Sequence, residues 1–120
     1  MLVNTGDVLQ VTVYGFVQHE GIVTEHGRVI SNSRRKGCVF EESVRSFAEG
    51  RKIKNIGPLN PRIDPMLAVE RARTQIGKSY DLVNDNCQHF VRWCYGLKPY
   101  SPQKRWALAG AAAIALIWAL

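Results

Sequence analysis

Three cysteines and three histidines are the residues of this chain best suited to nucleophilic and acid–base chemistry. Cys87 stands out by position. It follows Asn86, a residue type that caps helices, and Cys87, Phe90, Val91 and Cys94 recur at i, i+3, i+4 and i+7, the apolar stripe of a helix that begins at the cysteine and ends at Gly96. A cysteine in a first helical turn sits at the positive end of the helix dipole, among N–H groups that lack intrahelical partners. Both favour the thiolate, the nucleophilic form. Cys38 and Cys94 have no such setting and read as small apolar residues. A thiolate nucleophile needs a base. His89 lies two positions beyond Cys87, and residues i and i+2 on a helix point about 200° apart, so its ring is turned from the sulfur. His26 falls in a turn, which leaves His19, at the start of a predicted strand, as the base by elimination.

The elements that must hold these residues follow from periodicity. Leu9, Val11 and Val13 alternate with Gln10, Thr12 and Tyr14, which predicts a strand over residues 7–14. Two further strands, over 19–24 and 28–32, are joined by a tight turn at Glu25-His26-Gly27. If the turn takes all three residues, Thr24 pairs with Arg28 and Ser31 shares the face of His19. If it takes only His26 and Gly27, Asn32 holds that place instead. Both are candidates to orient the imidazole, Asn32 through the better carbonyl acceptor. Residues 33–37 are polar and basic and read as a loop. Residues 42–48 read as a helix closed by Gly50, and 51–57 as a weak strand. Asp64 as cap and Pro65 as first helical residue open another helix, running to about residue 76 and closed by Gly77.

The chain has 120 residues, 46% of them hydrophobic and 22% charged, which is room for one globular domain and excludes wholesale disorder. Three cysteines without paired CxxC motifs provide neither a disulfide framework nor a zinc site, and no cofactor or metal is called for. The net charge of +6 points to phosphate-rich partners, nucleic acid or an anionic membrane. Eight basic residues lie between Arg28 and Lys54, but Phe40 and Phe47 are the only aromatics among them. A base-stacking platform is therefore poorly supported, and the run suits anionic lipid head groups better. The first ten residues lack a basic region ahead of an apolar stretch, against a secretory signal. Residues 106–120, WALAGAAAIALIWAL, carry no polar side chain. As a helix they reach about 22 Å against a hydrocarbon core of about 30 Å. Trp106 and Trp118 suit interfacial anchoring, and Lys104 and Arg105 favour a single C-terminal anchor with the preceding domain facing the cytoplasm. The chain thus divides into a domain over 1–97, a linker over 98–105 and an anchoring helix over 106–120.

Asn86-Cys87-Gln88-His89-Phe90-Val91, preceded by Gly77-Lys78-Ser79-Tyr80-Asp81-Leu82 and followed by Trp93-Cys94-Tyr95-Gly96, resembles the nucleophile motif of the lecithin:retinol acyltransferase family. His19-Glu20-Gly21-Ile22-Val23 resembles the family's early histidine strand, and the likeness runs over about residues 7–96. It implies an α+β, permuted papain-like fold, with an antiparallel sheet packed on helices, and a phospholipid substrate met at a membrane. It also implies thiol acyltransferase or phospholipase activity: His19 deprotonates Cys87, Ser31 or Asn32 orients the imidazole, and first-turn backbone N–H groups hold the oxyanion. Two positions depart from the family's pattern. Gln88 stands where a glutamate is usual, and Ser31 stands where many members have a second histidine. The competing readings are a cysteine peptidase or amidase of the same superfamily and a membrane-tethered, non-catalytic module.

Overall fold

The computed structural model describes residues 2–13, 15, 17–81 and 86–98. The strands are β1 (Val8–Val13), β2 (Val17–Val23), β3 (Arg28–Ser33), β4 (Cys38–Ser43) and β5 (Ile53–Gly57); the helices are α1 (Val44–Ala48), α2 (Pro65–Thr74) and α3 (Cys87–Cys94). The strands form one sheet in the order β4-β3-β2-β1-β5, every neighbouring pair antiparallel, so the α+β expectation holds.

Helices cover both sides of the sheet centre, and the strands record this in their composition. Val8, Ile22, Ile30 and Val39 point to one face, where they pack against Ala68, Val69 and Ala72 of α2 and Phe90, Val91 and Cys94 of α3. Leu9, Val11, Val23 and Val29 point to the other, under Phe47 of α1. Successive residues such as Val8 and Leu9 are therefore both buried and both apolar, as in any strand with two dry faces. Towards the far ends of β1 and β2 the α3-side positions become polar, at Gln10, Gln18 and Glu20.

The hairpin turn takes three residues. Thr24 N–H donates to the Arg28 carbonyl at 2.8 Å, and Val23 pairs with Val29 and Ile22 with Ile30. Of the two registers open from sequence, this is the one that puts Ser31 on the face of His19. α2 begins as expected, with the Asp64 side chain accepting from Met66 N–H at 2.7 Å and Pro65 following, but it ends at Thr74.

Between residues 38 and 48 the sequence expectation is corrected. Cys38–Ser43 is a fourth strand, and Glu42, expected in a helix, lies within it. Glu42 is buried, salt-bridged to Arg35 at 3.0 Å and bonded to the Ser46 hydroxyl, so it satisfies its charge from inside a strand. α1 then runs only from Val44 to Ala48: the Ser43 hydroxyl caps its start, and Glu49 at φ 49° turns left-handed and stops it. Residue 14, most of the linker and the helix expected over 106–120 lie outside the described residues. Among those described, no helix is long and apolar enough to cross a membrane.

Candidate active site

α3 starts where it does because Asn86 is built to start it. Its backbone is extended, and its side-chain oxygen accepts from the N–H groups of Gln88 and His89, each at 3.0 Å. Asn86 N–H in turn donates to Nδ1 of His89 at 3.5 Å, a reciprocal capping box with histidine as the returning partner. Cys87 is thereby the first residue of α3, as predicted, and His89 is turned back onto the cap. The Cys87 thiol is buried and donates to the Gln18 carbonyl of β2 at 3.7 Å.

Residues 77–80 run along the outer side of β4. Gly77 N–H donates to the Val39 carbonyl at 2.8 Å, Val39 N–H to the Lys78 carbonyl at 2.9 Å, and Tyr80 N–H to the Gly37 carbonyl at 2.9 Å. This brings Tyr80 within electrostatic range of Cys87. Burial, and then the negative charge a Cys87 thiolate carries, push the Tyr80 hydroxyl far above the ordinary phenol range. The hydroxyl is neutral at pH 7 and can donate a hydrogen bond. No chemical role for Tyr80 was read from sequence; its only signal there was membership of the Gly77-Lys78-Ser79-Tyr80 stretch.

His19 is elsewhere. Its β1 partner is Val11, which belongs to the face covered by α1, and its ring stacks on Phe47 with centroids 4.8 Å apart at 26°. Burial, aided by the Arg35 and Arg51 guanidinium groups, lowers its pKa from 6.5 to about 4. The imidazole is neutral at pH 7, and its Nδ1 is buried without a hydrogen-bond partner among the described residues. Ser31 is on the same face, its Cβ 3.2 Å from where a Cβ on Gly21 would stand. Asn32, next along β3, falls on the α3 side with Ile30. The structure therefore brings His19 and Ser31 to one side of the sheet, and Cys87 and Asn32 to the other. No bond between His19 and Cys87 is among the described contacts. Strand alternation sends the imidazole of residue 19 away from a helix that packs over Ile22 and Ile30.

On the cysteine's side a cleft of about 280 Å³ opens between the polar ends of β1 and β2, the chain after β5 and α3, lined by Gln10, Gln18, Glu20, Ile56, Leu59, Gln88 and Arg92. Gln18 and Gln88 join it to the thiol, the first through its carbonyl and the second as the residue after Cys87. The basic run is partly neutralised: Arg28 pairs with Glu41 at 2.8 Å, Arg35 with Glu42 and Glu49, and Arg51 with Glu49 at 3.2 Å, while Arg45, Lys52 and Lys54 are exposed. Among the described residues no three His, Cys, Asp or Glu side chains converge to hold a metal.

The Asn86-capped helix that begins at Cys87 lies within the residues that a family model matches. The family of lecithin retinol acyltransferase matches residues 2–98, and the chain belongs to it. No curated protein matches the chain. Family membership brings acyltransferase and phospholipase-like chemistry to this fold at the coarse level.

Proposed function

We propose that the chain is a membrane-associated thiol acyltransferase or phospholipase A that acts on glycerophospholipid esters through an acyl-cysteine at Cys87. The observation that carries this reading is the placement of Cys87 as the first residue of a side-chain-capped helix, beside a cleft and within the residues the family matches. The Cys87 thiolate attacks the ester carbonyl carbon, the carbonyl oxygen becomes an oxyanion, and collapse expels a lysolipid alkoxide that takes up the proton the thiol gave away. Water then releases a fatty acid, or an amine or hydroxyl takes the acyl group. Of the first-turn backbone N–H groups expected from sequence as oxyanion donors, those of Gln88 and His89 donate to the Asn86 side chain. The Tyr80 hydroxyl, fixed in its protonated form near the sulfur, is the proposed donor. The thiolate draws on the helix N-terminus, and His19, in the early histidine strand, is the proposed base.

Residues 106–120, with Lys104 and Arg105 before them, are proposed as the anchor that holds the domain on the cytoplasmic side. Arg45, Lys52 and Lys54 add about 1 kcal/mol each against anionic head groups. A second reading, a membrane-tethered family member without catalysis, is favoured by one observation, the separation of imidazole and thiol by the sheet. Intact-mass spectrometry after incubation with phosphatidylcholine vesicles decides between them. An acyl adduct that is lost in Cys87→Ala supports the enzyme. No adduct, with a Cys87 that titrates as an ordinary thiol of pKa about 8.5, leaves the tethered module.

A further inference from the structure

Large apolar side chains left in water mark a contact surface when they adjoin one another. Leu67 of α2 and Trp93 of α3 are 45% and 43% exposed, and Arg71 joins them. Arg71 lies one helical turn beyond Leu67 on the same flank of α2. Its guanidinium covers the Trp93 ring at 4.3 Å and donates to the Trp93 carbonyl at 3.0 Å. The three side chains form one row across the outer side of the α2–α3 pair, whose inner side closes the core through Ala68, Val69, Ala72, Phe90 and Val91. No carboxylate pairs with Arg71 among the described residues. Indole, leucine and guanidinium together suit a membrane–water boundary: the apolar groups enter the acyl edge, and the guanidinium reaches phosphate and ester oxygens.

Where the chain leaves the domain says what covers this row. Trp93 lies in the last turn of α3, Gly96 N–H donates to its carbonyl at 3.0 Å, and the described residues end at Lys98. The apolar segment begins at Trp106, so even a fully extended chain keeps the end of α3 within about 28 Å of that point. We infer that the Leu67–Arg71–Trp93 row is the face by which the domain lies on a phospholipid bilayer, Leu67 and Trp93 at the acyl edge and Arg71 at the phosphates. The inference rests on the reading of residues 106–120 as a bilayer anchor and needs no reactivity of Cys87. Glu70, exposed one turn from Leu67, offsets the Arg71 charge, so a zwitterionic surface suffices.

The chain's tryptophans are Trp93, Trp106 and Trp118, so Trp106→Phe/Trp118→Phe leaves Trp93 as the one indole emitter. The full chain with those two substitutions is reconstituted in phosphatidylcholine vesicles with and without bromine on the acyl carbons nearest the glycerol, a short-range quencher of indole fluorescence. Brominated lipid should lower the Trp93 emission about twofold or more. Leu67→Glu, or Leu67→Ser as the milder change, should restore about half or more of the loss with the far-ultraviolet circular dichroism unchanged. The control is Trp93→Phe, whose two emitters lie in the anchoring segment. Quenching there without quenching of Trp93 overturns the inference and leaves the anchor standing; quenching in neither overturns both. Quenching of Trp93 that both Leu67 variants leave unchanged shows that the tether alone brings lipid near, and it also overturns the inference. So does a Trp93 emission that ignores bromine and shifts as the protein is diluted in the lipid, which identifies a second copy of the chain as the occupant. The acyl adduct on Cys87 is read separately by mass, so failure of this docking is distinct from failure of the enzyme reading.

Discussion

Acidification from pH 7 to 4 reads directly which side of the sheet His19 occupies. Under Phe47, with Arg35 and Arg51 nearby, its folded-state pKa is about 4 against an ordinary 6.5. At about 1.4 kcal/mol per unit, that gap sets a ceiling of about 3 kcal/mol on what the neutral imidazole contributes. The folded pKa lies below the unfolded one, so the unfolded chain takes the proton first. The contribution is complete above pH 6.5, shrinks as pH falls below it, and is gone by about pH 4. Glu20 works in the opposite direction: its raised pKa makes the fold bind a proton before the unfolded chain does, so stability rises as pH falls through that range.

The comparison that isolates His19 is therefore with His19→Phe, which fills the stack on Phe47 and does not titrate. Urea unfolding of the full chain in detergent, followed by far-ultraviolet circular dichroism at half-unit pH steps, should show wild type losing about 2 to 3 kcal/mol more than His19→Phe between pH 7 and 4. An imidazole beside the Cys87 thiolate would carry a raised pKa, because the negative charge favours its protonated form, and would give a slope of the other sign. Parallel profiles, or a wild type that gains on the variant as pH falls, refute the packing of His19 under α1 and return it to the thiol's side.

Three further outcomes follow from the geometry. Asn86→Ala removes the acceptor of two amide bonds at the start of α3 and should cost about 1 kcal/mol in urea unfolding, while slowing alkylation of Cys87 at neutral pH. Gly21→Ala sets a Cβ 2.4 Å from Val29 Cγ1 and 3.0 Å from Phe47, so it should destabilise by about 1 to 3 kcal/mol as β3 and α1 give way, a loss measurable as a fall in Tm. If the chain forms an acyl-cysteine, Tyr80→Phe should cut its rate of formation by about 100-fold while leaving the far-ultraviolet spectrum unchanged, because a hydrogen in place of the hydroxyl keeps the ring's packing and removes the donor.

Most of the elements could be read from local chemistry. Asn86 before an i, i+3, i+4, i+7 stripe, and Asp64-Pro65 before another helix, name their starting residues because capping is decided within four residues of chain. The hairpin was also local, and its length, which decides between Ser31 and Asn32, came out as one of two stated registers. β4 was missed because its evidence is tertiary. Glu41 and Glu42 favour a helix in isolation, and the salt bridges to Arg28 and Arg35, with the Ser46 hydroxyl on Glu42, let a strand carry them.

The site was harder to read for a related reason. A strand with one wet face announces by its polar positions which side is dry, but the middle of β1 to β3 is dry on both sides. Val8 with Leu9 and Ile22 with Val23 leave the assignment of faces to the helices that arrive later in the chain. The elimination that selected His19 used its position along the strand and had no access to its side. Where β1 and β2 run beyond the α3 core, polarity does return, and Gln10, Gln18 and Glu20 mark that side as lining a cleft. The residue after His19 thus carries information that His19 lacks. Glu20 lies on the α3 side of the sheet, set among amides in the cleft beside the Cys87 helix. The neutral imidazole, stacked on Phe47, joins Leu9, Val11, Val23 and Val29 in seating α1 on the sheet.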